Sequence, residues 1–123
     1  FRPVTSEYGR GYNTFALIGR VVQRFPMQTL LAPSRYDGKP AYQLVYRAYK
    51  SLCGDIHMVD EVRRLAPGVY LGIGTWGFSR QQRQIALPFL LEGPIAPYRG
   101  DIGVSRRHVI LGDEIPALTI QVN

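Results

Sequence analysis

The clearest alternation of hydrophobic and polar positions lies in two segments, Val69–Phe78 and Ile85–Leu91, which the polar loop Ser79–Arg83 separates. A period of two residues is typical of β-strands. The pattern therefore predicts a strand, a loop and a returning strand. Because Pro88 has no amide N–H, we expect the second strand to lie at a sheet edge or to be bulged there.

Two further strands are predicted before this pair. Tyr42–Tyr49 alternates, with Tyr42 and Tyr46 on one face. Asp55–Leu65 fits a helix or a strand, and a strand is favoured because Pro67-Gly68 follows it. This dipeptide suits the centre of a type II turn, in which glycine takes the positive φ. We expect Asp55–Leu65 and Val69–Phe78 to form a hairpin.

The segment Asn13–Phe25 predicts a helix, since its apolar residues recur at helical spacing. Those residues are Phe15, Ile18, Val22 and Phe25. Asn13 or Thr14 suits the N-cap, and Pro26 follows the end, although Gly19 weakens the helix.

The remaining segments are rich in turn residues. Residues 1–12 are predicted to form an extended arm, and residues 26–40 a loop. The Pro/Gly-rich segment 93–123 contains two candidate strands, Val109–Leu111 and Leu118–Val122.

These elements predict one domain spanning residues 1–123, of mainly β (α+β) class. Five or six strands without a βαβ alternation indicate an antiparallel sheet. We expect this small sheet to be curled, or closed into a lipocalin-like barrel, with one N-terminal helix.

Composition narrows the possible partners. The formal net charge is +6, and all but two of the 15 basic residues are arginine. The arginines are scattered and accompany no known binding motif, so nucleic acid is an unexpected partner. No apolar run is long enough to span a bilayer.

The single cysteine, Cys53, has no partner for an internal disulfide, which favours a reducing compartment. The chain begins at Phe1 and not at Met, so we expect a processed or truncated product. The expected location is an organelle, plastid or mitochondrion, or the cytoplasm.

The string Asp60–Gly72, DEVRRLAPGVYLG, resembles a pattern found in a family of uncharacterised small proteins of bacteria and algae. That pattern is Asp-Glu-Ile/Val-Arg, a spacer, then Ala-Pro-Gly-Leu/Val-Tyr-Leu-Gly, and Pro88–Pro94 extends the similarity. The resemblance covers about a third of the chain. It implies a lipocalin-like, β-rich fold and no assigned activity.

The even-numbered face of Val69–Phe78 is the candidate ligand-binding surface. Two glycines leave a flat patch of backbone between aromatic side chains, against which a planar or apolar ligand could lie. Two tyrosines of the preceding strand could continue this lining. The candidate residues are Tyr42, Tyr46, Tyr70, Gly72, Gly74 and Trp76. The alternative is core packing, in which the glycines admit a neighbouring element or let the sheet coil.

One compact polar group could carry acid–base chemistry, formed by the candidates His57, Asp60, Glu61 and Arg63. Histidine beside a carboxylate can act as a base, and arginine can hold an anionic substrate. The alternative, an exposed strand with cross-strand ion pairs, is favoured, so no catalytic residue is assigned. Cys53 and His57 supply too few ligands for a metal site, and none is predicted.

Three functions from different classes remain open. The first is a non-catalytic domain that binds an apolar or aromatic small molecule, a lipid or a pigment, with no other cofactor. The second is an accessory or structural subunit of a larger complex, such as one in an organelle. The third is a cofactor-independent isomerase or cyclase, which requires His57 in a cleft with a carboxylate within hydrogen-bond reach.

Overall fold

The computed structural model describes residues 1–94 and 97–120. It contains one antiparallel sheet of seven strands, in which each strand pairs with its neighbours in sequence. The strands are β1 (Arg2–Pro3), β2 (Tyr8–Leu17), β3 (Arg20–Pro33), β4 (Pro40–Val45), β5 (Val59–Ala66), β6 (Val69–Thr75) and β7 (Leu87–Glu92). The α-helices are α1 (Leu52–Asp55), α2 (Leu111–Glu114) and α3 (Ala117–Ile120). The chain is therefore mainly β, as predicted.

The predicted helix Asn13–Phe25 is wrong, because this segment forms the β2–β3 hairpin. Its two-residue turn, Ile18-Gly19, has positive φ at both positions (45° and 72°), as a type I′ turn requires. Phe15 lies directly opposite Val22 in the hairpin. The apolar residues thus meet across two strands and not along one helical face, although both arrangements fit their spacing.

The predicted arm and loop are also shorter than expected. Within residues 1–12, β1 and the first half of β2 belong to the sheet, and Arg2 pairs with Arg10. Strand β3 continues to Pro33, so the predicted loop 26–40 shrinks to residues 34–39. Backbone pairing along this length outweighs the local turn signals of Pro26 and Pro33.

The hairpins of the second half are confirmed. β5 and β6 pair across the Pro67-Gly68 turn, where Gly68 has a φ of 74°. β6 pairs with β7, and Pro88 lies in this last strand of the sheet, where a missing amide N–H is tolerated.

The boundaries of the two strands predicted before these hairpins differ from the structure. The predicted strand Tyr42–Tyr49 ends at Val45, and a 3₁₀ turn follows at Tyr46–Ala48. The start of the predicted strand Asp55–Leu65 is helical, because α1 ends at Asp55 and β5 begins only at Val59.

Alternation along the strands gives the sheet two faces, each with its own buried cluster. The front face is defined by Met27, Leu44 and Val62, against which Tyr46 and Cys53 pack. The back face is defined by Leu30, Ala32 and Val45. The two clusters lie on opposite sides of one sheet.

The C-terminal segment covers part of the back face. Ile115, between α2 and α3, is buried with Leu30, Ala32 and Val45, and Leu111 and Leu118 pack beside it. The candidate strands Val109–Leu111 and Leu118–Val122 are wrong over the described residues, where α2 and α3 form instead; residues 121–122 lie outside them.

The expected curled or closed barrel is also wrong, because the sheet stays open. The strand order ends at β1 on one side and at β7 on the other, and no ladder among the described residues joins them. The glycines expected to let the sheet coil are covered locally. A Cβ on Gly72 would collide with the ring of Phe89, its cross-strand neighbour, and one on Gly74 would meet the Asp60 carboxylate.

We expect Ile115→Ala to lower the free energy of unfolding by about 2–4 kcal/mol, since it removes a side chain from a packed cluster. Ile115 is 1% exposed, whereas Ile110, five residues earlier, is 67% exposed. The matched control Ile110→Ala should change stability by less than about 0.5 kcal/mol. Urea denaturation measures both, and equal effects would show that the C-terminal helices do not cover the sheet.

Candidate functional site

The front face carries an apolar groove of about 830 Å³, here called the front groove. Three aromatic rings line it, those of Phe1, Tyr42 and Tyr70. Phe1 packs edge-on against Tyr42, with ring centroids 5.9 Å apart and planes at 89°. The other apolar residues of the lining are Leu31, Pro40, Val62, Leu91 and Pro94. Small-molecule sites have this size and this mainly apolar lining.

The strand register assembles the front groove from distant parts of the chain. Tyr42 of β4 lies opposite Leu31 of β3 on one side and opposite Val62 of β5 on the other. Tyr70 of β6 lies opposite Leu91 of β7. Cross-strand partners point to the same face, so these side chains form one continuous surface across five strands.

Charged side chains border the front groove. Arg63 forms an ion pair with Asp37, while Arg64, which lies opposite Tyr70, has no ion-pair partner among the described residues. Glu92 lines the groove as well, so its charged border carries both signs.

A buried polar chain lies further along the same face. Asp60 is two residues from Val62 on β5 and therefore points to the front. The Tyr46 hydroxyl donates to Asp60 Oδ2 at 3.2 Å and accepts a hydrogen bond from Asn13 Nδ2 at 3.2 Å. These bonds connect β2, the 3₁₀ turn after β4, and β5.

Burial changes the pKa values of the side chains in and beside this buried polar chain. It raises the pKa of Asp60 from the ordinary 3.8 to about 6, although the hydrogen bond from Tyr46 acts in the opposite direction. Burial and the nearby Asp60 charge raise the pKa of the Tyr46 hydroxyl, which therefore stays protonated and donates. The same two causes raise the pKa of the Cys53 thiol, which makes it a poor nucleophile.

A second cavity, of about 400 Å³, lies between the start of α2, the loop after β6 and the turn after β3, and is here called the arginine cleft. Its charged and titratable lining comprises Arg35, His57, Arg80, Arg83, Asp113 and Glu114. His57 Nδ1 lies 2.9 and 3.0 Å from the two Glu114 carboxylate oxygens.

The residues predicted to bind a ligand fall into three places. Tyr42 and Tyr70 line the front groove. Tyr46 belongs to the buried polar chain, and Gly72 and Gly74 are covered by Phe89 and Asp60. Trp76 lies past the end of β6, beside a small apolar pocket of about 230 Å³.

The four acid–base candidates do not meet in one site. Asp60 points to the front face, whereas Glu61 points to the back, where it accepts hydrogen bonds from the Ser34 hydroxyl and the Arg35 amide. Arg63 pairs with Asp37 at the surface. His57 lies in the arginine cleft beside Glu114, a carboxylate far from it in sequence.

Two site residues were not found from the sequence. Phe1 belongs to a turn-rich segment whose composition gives no sign that its ring reaches Tyr42. Glu114 lies 57 positions after His57, and no local spacing signals their contact.

No group of three or more His, Cys, Asp or Glu side chains within residues 1–94 and 97–120 could hold a metal ion. None of the helices in the described part of the chain has the length and apolar character needed to cross a membrane. Comparison of the chain with protein-family models, with curated proteins and with solved structures found no match.

The raised pKa of Asp60 predicts a pH-dependent stability. A carboxyl that binds its proton more tightly in the folded chain favours folding most below pH 4, and this advantage is lost as pH rises through about 6. Asp60→Asn keeps an oxygen that accepts from Tyr46 but cannot ionise. We expect the variant to gain up to about 3 kcal/mol relative to the native chain between pH 4 and pH 7 in urea denaturation.

Asp37→Asn is the control of opposite sign. The Arg63 guanidinium holds the pKa of Asp37 well below its usual range, so this carboxylate stabilises the fold above pH 4 and loses that effect in acid. The Asp37 variant should therefore be less stable than the native chain at pH 7. If the free energy of unfolding of the native chain and of Asp60→Asn changed with pH in the same way, Asp60 would not be a buried group with a raised pKa.

Proposed function

We propose that the chain is a binding domain for an apolar or aromatic small molecule, a lipid or a pigment, held in the front groove. The observation that carries this proposal is the 830 Å³ apolar groove with three aromatic rings in its lining. Aromatic rings offer large contact areas that lose little conformational entropy on binding.

The exposure of the apolar lining of the front groove supports the proposal that a ligand covers it. Leu31, near the end of β3, is 71% exposed although Thr29 on the same face is buried and Tyr42 opposite it is half-buried. Each Å² of apolar surface removed from water contributes about 25 cal/mol. A ligand bound beside Leu31 and Phe1 would remove apolar surface of the protein and of the ligand from water, and both surfaces would contribute to the binding free energy.

The test uses the neutral fluorescent probe N-phenyl-1-naphthylamine, whose emission rises in apolar surroundings. We expect saturable binding by the native chain and at least tenfold weaker binding by Leu31→Glu, which puts a carboxylate into the groove. Leu31 is already exposed, so this variant should still fold.

Leu90→Glu is the matched control, because Leu90 is 65% exposed on a strand of the same sheet but points to the back face. Its affinity for the probe should equal that of the native chain. No binding by the native chain, or equal weakening by both variants, would overturn the proposed site.

The second candidate function is that of an accessory subunit of a larger complex, such as one in an organelle. Large apolar side chains outside the groove support it, since Phe78, Ile85, Val104 and Ile110 are all well exposed. Native mass spectrometry of the gently isolated protein separates the two candidates. A small-molecule adduct on a free chain supports the binding domain, and a chain found only within a large assembly supports the subunit.

Three further expectations remain proposals. The resemblance of Asp60–Gly72 to a family of uncharacterised small proteins implies no assigned activity and therefore favours none of the candidate functions. The buried, unpaired Cys53 agrees with a reducing compartment, either an organelle or the cytoplasm. The isomerase or cyclase alternative is supported by His57, which lines a cleft with a carboxylate in reach, although that carboxylate is Glu114.

A further inference from the structure

The arginine cleft brings three positively charged side chains together. Arg35, Arg80 and Arg83 line it, and none of them forms an ion pair within the described residues. By contrast, four arginines outside the cleft, Arg2, Arg10, Arg63 and Arg106, are paired with aspartates. The cleft therefore holds guanidinium groups whose charge the protein itself leaves without a pairing carboxylate.

Hydrogen bonds fix two of the three guanidinium groups. Arg35 donates to the Arg83 carbonyl at 2.8 Å and to Thr75 Oγ1 at 3.3 Å. Arg83 Nε donates to the Gly77 carbonyl at 3.0 Å. Each guanidinium group has five N–H donors, so further donors remain after these hydrogen bonds are formed. Planar, held guanidinium groups are well suited to carboxylate or phosphate oxygens.

His57 completes the lining. Its side chain is 25% exposed, whereas that of Glu114 is 2% exposed. The imidazole donates from Nδ1 to the carboxylate, which orients the ring and leaves Nε2 without a recorded partner in the described part of the chain. The residue also has a φ of 55°, in a region that non-glycine residues seldom adopt.

The acidic groups of the cleft do not cancel this charge. Glu114 is engaged by His57, and Asp113 is exposed and forms no ion pair among the described residues. Three guanidinium groups face these two carboxylates, so the cleft keeps a net positive charge even when His57 is neutral.

We propose that the arginine cleft binds a small-molecule anion through a carboxylate or phosphate group. Arg35, Arg80 and Arg83 hold its oxygens, and His57 Nε2 forms a hydrogen bond with it. A volume of about 400 Å³ suits a compact molecule of this class. The arginine cleft shares no lining residue with the front groove, whose lining is mainly apolar.

The two histidines of the chain allow a test on the unaltered protein. Imidazole NMR signals are followed at pH 7 and low salt, during separate titrations with inorganic phosphate and with succinate. We expect the His57 ring signals to shift and saturate, while those of His108, which is exposed outside the cleft, stay unchanged. Saturation by phosphate alone, by succinate alone or by both assigns the preferred group.

Two variants show whether the arginines hold the anion. Arg80 has no recorded hydrogen bond or ion pair among the described residues, so Arg80→Gln should leave the fold intact and weaken binding at least tenfold. Arg107→Gln removes the same charge from an exposed position outside the cleft and should leave affinity within twofold. Equal effects of the two variants, parallel drift of both histidines, or no saturable shift with either anion would overturn the proposal.

Discussion

Pairing of each strand with its sequence neighbour is the constraint on which the rest of the structure depends. Seven strands joined in chain order give one sheet with two faces, and alternation assigns every strand residue to one of them. Apolar residues lie on both faces, so each face needs a cover. The C-terminal helices cover part of the back, where Ile115 is buried. In the described part of the chain, the front is covered by Phe1 at one end and by α1 and the adjoining turn at the other.

The incomplete cover accounts for both the buried polar chain and the groove. Near α1, Cys53 and Met58 close the front face, and Asp60 and Tyr46 lie in surroundings that raise the pKa of each. Towards the other end, no element within residues 1–94 and 97–120 covers Leu31, and the aromatic rings line an open groove. The arginine cleft arises separately, where α2 brings Glu114 to His57.

The sequence predicted elements well where a local signal and the sheet agreed. The alternation of β6 and β7, the Pro67-Gly68 turn and the edge position of Pro88 are all confirmed because each is determined within a hairpin. The helix predicted for Asn13–Phe25 failed since helical spacing and a two-residue hairpin bring Phe15 and Val22 together equally well. Gly72 and Gly74 did not allow closure of the sheet to be predicted. A glycine in the sequence shows that a side chain is absent, but it does not show which neighbouring side chain, here Phe89, occupies the space.

The same contrast between local patterns and contacts of distant segments applies to the candidate sites. Tyr42 and Tyr70 could be expected on one face because alternation is a local rule, and both line the front groove. The contribution of Phe1 and the partnership of Glu114 with His57 depend on contacts between distant segments, which spacing along the chain does not encode. Asp60 was noted as polar, but its burial follows from its neighbours Gly74 and Tyr46, and only the register of β4, β5 and β6 reveals it.

We propose that the open part of the front face receives an apolar ligand. Intermolecular nuclear Overhauser effects between N-phenyl-1-naphthylamine and the assigned protein would locate such a ligand. We expect contacts from the probe to the rings of Phe1, Tyr42 and Tyr70. Contacts confined to Leu111, Ile115 and Leu118 on the back face would contradict the proposal.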